Sequence, residues 1–364
     1  MGVFRFLSDD DIKNLIKTDH TFFSAGPTLL DRILDPYWSG IARLIPRWIS
    51  PNMISLFGGS CAALACPFSV WATRSESSIL YYVAPMLLFL YMTADGVDGK
   101  HARGTHQCSP LGAIVDHGID AFCAFTTGLA VVNTVCLKLP PVPAMMGYCM
   151  FHSSWFCAQW GELHLHKLDQ RGITEGEFAT MLVLVLPALA GADVFSWPIP
   201  WAGSLELGVL VLLGVLFGCG AVCISFVARV MWHDSNRCFE ACKPLIHLCL
   251  HNVIGILLAG TSLGQQNFVF CLAFVGMDAA ILMTKIRFAA TFHSRWPLVH
   301  IDMLPFMVVG MCEICGFSIG FSAYVVILCW QLLYMVGLWM DTIPRVCSIF
   351  GLPFLAPLQA EKTS

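Results

Sequence analysis

Residues 95–120 read DGVDGKHARGTHQCSPLGAIVDHGID, and they stand between two long apolar runs. Four aspartates, a lysine, an arginine and three histidines share these positions. An ionised group in hydrocarbon costs about 2.5–3.5 kcal/mol, so the stretch reads as the polar end of a helical hairpin. Asp95 and Asp98 are three apart and share a face at the end of one helix. Gly112, Asp116 and Asp120 are spaced by four and form one stripe at the start of the next. Folding the second helix against the first brings all four carboxylates into one pocket.

The rest of the chain agrees with a membrane setting. Of its 364 residues 57% are hydrophobic and 12% charged, against about 25% charged in a soluble domain. Apolar runs long enough to cross a bilayer fall at roughly 53–73, 78–95, 112–136, 141–160, 178–195, 205–228, 244–263, 267–284, 298–318 and 321–341. The expected fold is an all-α integral membrane protein with about ten transmembrane helices. Residues 27–49, PTLLDRILDPYWSGIARLIPRWI, mix aliphatic and aromatic residues with Arg32, Arg43 and Arg47. That mixture suits an N-terminal amphipathic helix lying in the interface, ended by Ser50-Pro51-Asn52.

Lysine and arginine collect on the cytosolic side of membrane proteins. With ten spans, 18 of the 20 basic residues fall in the two termini and in the loops after the even-numbered segments. Only Arg74 and Lys138 lie on the other side. Both termini and the acidic hairpin are therefore expected in the cytosol. The opening MGVFRFLSDDDIKNLIK has no cleavable signal pattern, so the first span is expected to serve as the targeting signal.

An all-oxygen aspartate cluster without thiolates selects hard divalent cations, Mg²⁺ first and Mn²⁺ or Ca²⁺ as competitors. Four carboxylates exceed what one Mg²⁺ usually takes, which favours two metals and hence phosphate chemistry. Gly99 and Gly112 permit close approach of a ligand to the helix backbones. Arg103 offers a fork of donors matched to phosphate oxygens.

The spacing D-x2-D-G-x2-A-R-x8-G-x3-D-x3-D, from Asp95 to Asp120, resembles the signature of the CDP-alcohol phosphotransferase family at every fixed position. The stretches 37–59 (PYWSGIARLIPRWISPNMISLFG), SPLG (109–112), DHGID (116–120) and CAQWGE (157–162) look like its choline/ethanolamine phosphotransferase branch. MTKIRF (283–288) is the one stretch that aligns beyond residue 180.

The resemblance implies transfer of phosphoethanolamine or phosphocholine from a CDP-alcohol to the hydroxyl of diacylglycerol, with release of CMP. By it, Asp95, Asp98 and Asp116 hold the metals, Asp120 ligates metal or acts as base, and Asn52, Gly99, Ala102, Arg103 and Gly112 contact the nucleotide. The cofactor is Mg²⁺, two ions, with Mn²⁺ as a substitute. The partners are CDP-ethanolamine or CDP-choline, diacylglycerol and membrane lipid, with a possible homodimer and no nucleic acid. The setting is the endoplasmic reticulum or Golgi. The chain divides into 1–52 (cytosolic N-terminus and interfacial helix), 53–235 (catalytic core of about six helices) and 236–364 (about four helices and a cytosolic tail). Gly104, Ala113 and Gln159 depart from the branch, which has Arg, Glu and His there. DGVDGK and DHGID incline slightly to ethanolamine.

The attacking hydroxyl must lose a proton. A carboxylate that binds two cations is a poor base, so His117, at i and i+3 with Asp120, is the expected base. Glu175, in GITEGEF, matches a branch TE dipeptide and is expected to orient it or relay its proton. The alternative for His117 is a hydrogen bond in a helix interface.

Other features point less far. Cys312 and Cys315 have C-x-x-C spacing in an apolar run and read as packing. His164 and His166 beside Glu162 offer a metal reading against an exposed-loop one. Asp278 and Glu313 lie inside spans and are functional by default, with no partner at a readable spacing. Trp155 and Trp160 read as interfacial anchors rather than a cage for a cationic headgroup. A divalent-cation transporter would need polar groups stepping across the bilayer, and these aspartates cluster at one end. A CDP-diacylglycerol-dependent synthase has about six spans, too few for this chain.

Overall fold

Four residues make the hairpin that the sequence announces. α4 (Val83–Thr105) ends where His106 takes φ 59°, with its amide bonded back to the Ala102 and Arg103 carbonyls. Ser109 then caps α5 (Pro110–Val135), its hydroxyl accepting from the Gly112 amide at 3.1 Å. Pro110 occupies the first turn, where its missing N–H costs nothing.

The computed structural model describes residues 6–17, 26–75, 77–136, 139–165, 172–233, 238–294, 296–297, 300–317 and 319–357. Besides α4 and α5, the helices among them are α1 (Asp9–Lys17), α2 (Leu29–Leu44), α3 (Pro51–Ser75), α6 (Pro141–Leu165), α7 (Ile173–Ala190), α8 (Leu207–His233), α9 (Cys238–Gly260), α10 (Ser262–Gln266), α11 (Phe268–Phe292), α12 (Leu304–Ile314) and α13 (Phe321–Phe350). The sole strand pair among the described residues is Pro198–Ile199 with Leu205–Glu206.

This is an all-α, multi-pass integral membrane protein. Each of the ten expected segments falls on a helix, and among the described residues eight helices are long and apolar enough to cross a bilayer. α6 has the length, 25 residues, but its His152, Ser153, Gln159 and Glu162 dilute its apolar character, and it packs inside the bundle. The ninth segment differs more. Hydropathy suggested 298–318, but α12 has 11 residues, about 16 Å of helix at 1.5 Å per residue, and is too short to span. A 3-10 turn at Ile301–Met303 takes up the start of that run. α7 starts and ends about five residues earlier than expected, because Gly191 at φ 102° terminates it.

α5 and α11 form the buried centre, and α8 is mainly exposed to the surroundings. Small residues set the spacing of α3 and α4: a Cβ on Gly58 would stand 2.7 Å from Ala94 Cβ. The N-terminal segment is tied to the far end of the chain. Leu7 and Leu15 are buried, and the Phe6 and Leu7 amides donate to Asp341 Oδ2 of α13 at 2.8 and 3.3 Å.

α2 covers most of the stretch 27–49 and has the two-faced character expected of a helix lying in the interface. Thr28 and Asp31 cap its start reciprocally, the Thr28 hydroxyl accepting from the Asp31 amide and the Asp31 carboxylate from the Thr28 amide. Its exposed apolar residues Leu29, Ile33, Tyr37 and Leu44 lie on one face at helical spacing. The opposite face carries Trp38, buried against Gly96 of α4, where an added Cβ would stand 2.5 Å from the indole.

Candidate active site

The last turns of α4 and the first turns of α3, α5 and α7 meet at one end of the bundle, and α2 roofs them. They enclose a cavity of about 910 Å³. Asp95, Asp98 and Asp116 line it, with Asn52, Gly99, Ala102, Arg103, Gly112 and His117. Nine of the eleven expected site residues are thus brought to one space. The other two, Asp120 and Glu175, are not among the lining residues.

Asp120 sits one turn deeper on α5. Its Oδ1 accepts from the Tyr91 hydroxyl at 2.8 Å, and its Oδ2 lies 3.4 Å from His117 Nδ1. Asp116 Oδ2 is 4.0 Å from the same nitrogen. His117 is buried, so the α5 stripe places an imidazole between two carboxyls. Glu175 turns toward α2 instead, its Oε1 accepting from the Leu30 amide at 3.3 Å. It anchors the roof, where the sequence suggested a partner for His117.

The donor set fits divalent cations. Asp116, His117 and Asp120 offer ligand atoms within 4.8 Å of one another, and Asp95 and Asp98 add hard oxygens on the facing wall. Ser55, one turn after Asn52 on α3, donates to Asp98 Oδ2. The cradle also has room beside the acids. A Cβ on Gly112 would stand 3.6 Å from Ser109 Oγ and 3.8 Å from Asn52 Oδ1. Arg103 folds its guanidinium over Gly99, 3.3 Å from where a Cβ would be.

The roof is held by charge. Thr174 Oγ1 donates to Asp31 Oδ1 at 2.6 Å, and Lys100 pairs with Asp35. Burial works to raise the Asp31 carboxyl, but hydrogen bonds from Thr174 and Thr28 outweigh it and hold it below the usual range. The Lys100 hydrogen bond and charge do the same for Asp35. The Trp38 Nε1–H faces this region with no partner among the described residues.

Sequence reasoning missed several supports. Tyr91 lies one turn before Asp95, and its signal was a polar tip in an apolar helix. Glu177 of α7 lies within charge range of Asp95, Asp120 and Asp31; its signal was an acid at the mouth of a span. Arg287 of α11 is buried and pairs with Glu162 of α6, with Gln159 Oε1 at 3.3 Å. Its charge reaches Asp116 and Asp120, and it stands inside MTKIRF.

Elsewhere, Asp278 has a partner 27 positions away, His251 Nδ1 at 2.8 Å. Trp160 is not an interfacial anchor: it is fully buried, and its Nε1 donates to the Ala241 carbonyl at 2.8 Å. His166 lies outside the described residues, and the His164 ring packs edge-on to Trp160 at 5.6 Å. Cys312 and Cys315 are free thiols.

The chain resembles known proteins over the same region. A family model described as CDP-alcohol phosphatidyltransferase matches residues 48–206. Cholinephosphotransferase 1 of Homo sapiens is 31% identical over 261 residues, which cover 67% of this chain and 57% of that protein. The Gallus gallus protein of the same name is 31% identical over 60% of this chain and 67% of its own length. The Xenopus laevis one is 29% identical over 77% and 73%. The chain therefore spans a little under three fifths of the human relative's length.

Proposed function

The chain belongs to the CDP-alcohol phosphatidyltransferase family, and from that premise we propose that it transfers a phosphoalcohol from a CDP-alcohol to diacylglycerol, releasing CMP. The observation that carries the reading is the convergence of Asp95, Asp98 and Asp116 with Gly99, Arg103 and Gly112 around one cavity beneath an interfacial helix. A water-soluble nucleotide enters from the polar end, and a lipid hydroxyl arrives beside α2 from the membrane.

Divalent cations, Mg²⁺ with Mn²⁺ as a substitute, would be held by Asp95, Asp98, Asp116 and Asp120, and would neutralise the diphosphate and the departing CMP. The chain's own groups do the rest. Arg103 binds phosphate oxygens as a fork. Gly99 and Gly112 let the nucleotide lie against the α4 and α5 backbones. His117 takes the proton from the diacylglycerol hydroxyl as the oxygen attacks the distal phosphorus. Asp120, fixed by Tyr91, orients the imidazole through Nδ1 and leaves Nε2 as the base. Glu175 and Asp31 hold the roof over the reactants.

The relatives' names carry choline, while DGVDGK and DHGID incline toward ethanolamine, so both are donor candidates. The basic residues before α3 and in the last turns of α4 support a cytosolic site. Both ends of the chain lie on that side, because Phe6 and Leu7 bond to Asp341 and Phe354 bonds to Asn52, and the membrane is that of the endoplasmic reticulum or Golgi. A homodimer, as the family suggests, is read from the mass of the solubilised protein. The test is CMP release by purified protein in detergent with diacylglycerol and Mg²⁺, with CDP-choline and CDP-ethanolamine in separate assays beside Asp116→Asn. Turnover that disappears in the variant and in chelator supports the reading and identifies the headgroup. No turnover with either donor, in folded protein, overturns it and moves the assignment to a CDP-diacylglycerol-dependent synthase.

A further inference from the structure

The segment that follows α13 returns to the wall of the candidate site. α13 ends at Phe350, Gly351 takes φ 63°, and the Leu352 amide closes the turn on the Cys347 carbonyl at 2.9 Å. Leu352 and Phe354 are partly buried against the main apolar core, which fixes the path of the segment. That path delivers the Phe354 carbonyl to Asn52 Nδ2, 2.8 Å away and 302 positions apart in the chain.

A backbone carbonyl can only accept, so the Asn52 carboxamide must give it the NH₂ end. The opposite end of the amide is thereby assigned without ambiguity. Asn52 is buried, lines the cavity, and its Oδ1 is the atom 3.8 Å from where a Cβ on Gly112 would stand. From this the geometry points to a positioning role for residues 352–357: they lock Asn52 so that the site presents a fixed hydrogen-bond acceptor beside Gly112. The acceptor matches an N–H or O–H donor on the nucleoside half of the CDP-alcohol. Without the lock, rotation about χ2 would offer donor and acceptor alternately, and binding would bear the cost of ordering the amide. The inference rests on the reading of the cavity as a CDP-alcohol site. It makes that site depend on a segment far outside the matched residues 48–206.

The test is a double-mutant cycle on CMP binding, measured calorimetrically with full-length protein in detergent and Mg²⁺. A chain ending at Gly351 is expected to bind CMP about three- to tenfold more weakly, the range of one lost hydrogen bond. A chain ending at Pro357 is expected to bind as the full chain does. Asn52→Ala also weakens binding, and removing residues after Gly351 in that background costs nothing further, because the two changes remove one unit. In turnover the same truncation raises KM for the CDP-alcohol by the same factor and leaves KM for diacylglycerol unchanged. Where the truncated chain does not stay monodisperse, a glycine inserted after Pro353 shifts the carbonyl while keeping the segment, with the same expected loss. Unchanged CMP affinity in folded truncated protein, or losses that add in the cycle, overturns the role of the segment. A full-length chain that binds no CMP overturns the reading of the cavity instead.

Discussion

His117 Nδ1 lies 3.4 Å from Asp120 Oδ2, and the other oxygen of that carboxyl accepts from Tyr91 at 2.8 Å. The three side chains form a line from the bundle interior to the cavity wall. A carboxylate beside Nδ1 favours the tautomer that carries its proton there, which keeps Nε2 free to accept. His117→Ala should lower kcat by about 10²-fold or more, the usual cost of losing a general base. Single-turnover CMP release checks it, and retention of more than about a tenth of wild-type turnover would sink the assignment. Tyr91→Phe should cost less, because Asp120 stays in place with one hydrogen bond fewer.

Gly96 meets Trp38 so closely that an added Cβ would stand 2.5 Å from the indole. The ring is buried and cannot swing clear cheaply, so Gly96→Ala should lift α2 off the cavity rather than unfold the bundle. The expected result is a raised KM for both substrates with a largely intact melting temperature in detergent. Unchanged KM values would mean that α2 does not act as the roof of the site.

What the sequence made legible was local. The spacing from Asp95 to Asp120 is written on two adjacent helices, so helical periodicity alone placed the aspartates on facing walls. The supports were not legible, because they join residues that only the tertiary fold brings together: Asn52 with Phe354, Arg287 with Glu162, His251 with Asp278. Glu175 shows the limit of motif reasoning. Its neighbours in the chain suggested the reaction centre, while the fold gave it the unpaired Leu30 amide at a helix start, a site that favours a carboxylate. Hydropathy likewise overcounted continuous helices, since it sees the apolar run around α12 but not the 3-10 turn at Ile301–Met303 and the end at Ile314 that leave only 11 helical residues.

Asp302 carries a pH prediction away from the site and outside the spans. Burial works to raise its carboxyl, but the neighbouring His300 ring and Lys285, which donates to the carboxylate and carries its charge, outweigh that and hold it down to about 2. A depressed folded-state value means the contribution is present above the unfolded value near 3.8 and is lost as pH falls through the folded one. The size is on the order of 2 kcal/mol at neutral pH. Asp302→Asn should therefore melt earlier than wild type at pH 7, and the gap should narrow steadily from about pH 4 downward. A gap that stays constant to low pH would refute the linkage.

Arg287 and Glu162 form an ion pair buried at 1% and 11% side-chain exposure, and the arginine charge reaches Asp116 and Asp120. Two roles are superposed here, and substitution can separate them. Arg287→Met strands the Glu162 carboxylate in an apolar setting and should destabilise the protein by about 3–5 kcal/mol. Adding Glu162→Leu removes the stranded charge, and replacing a buried pair by packed apolar groups is often neutral or stabilising, so the melting temperature should recover in the double variant. Activity should not recover with it, because the carboxylates of α5 still lack the positive charge that α11 supplies. The measurement is melting temperature and Mg²⁺-dependent turnover on the two variants side by side. Recovery of both would mean that Arg287 only joins α11 to α6. Recovery of stability alone would make α11, outside the matched residues, an electrostatic part of the site.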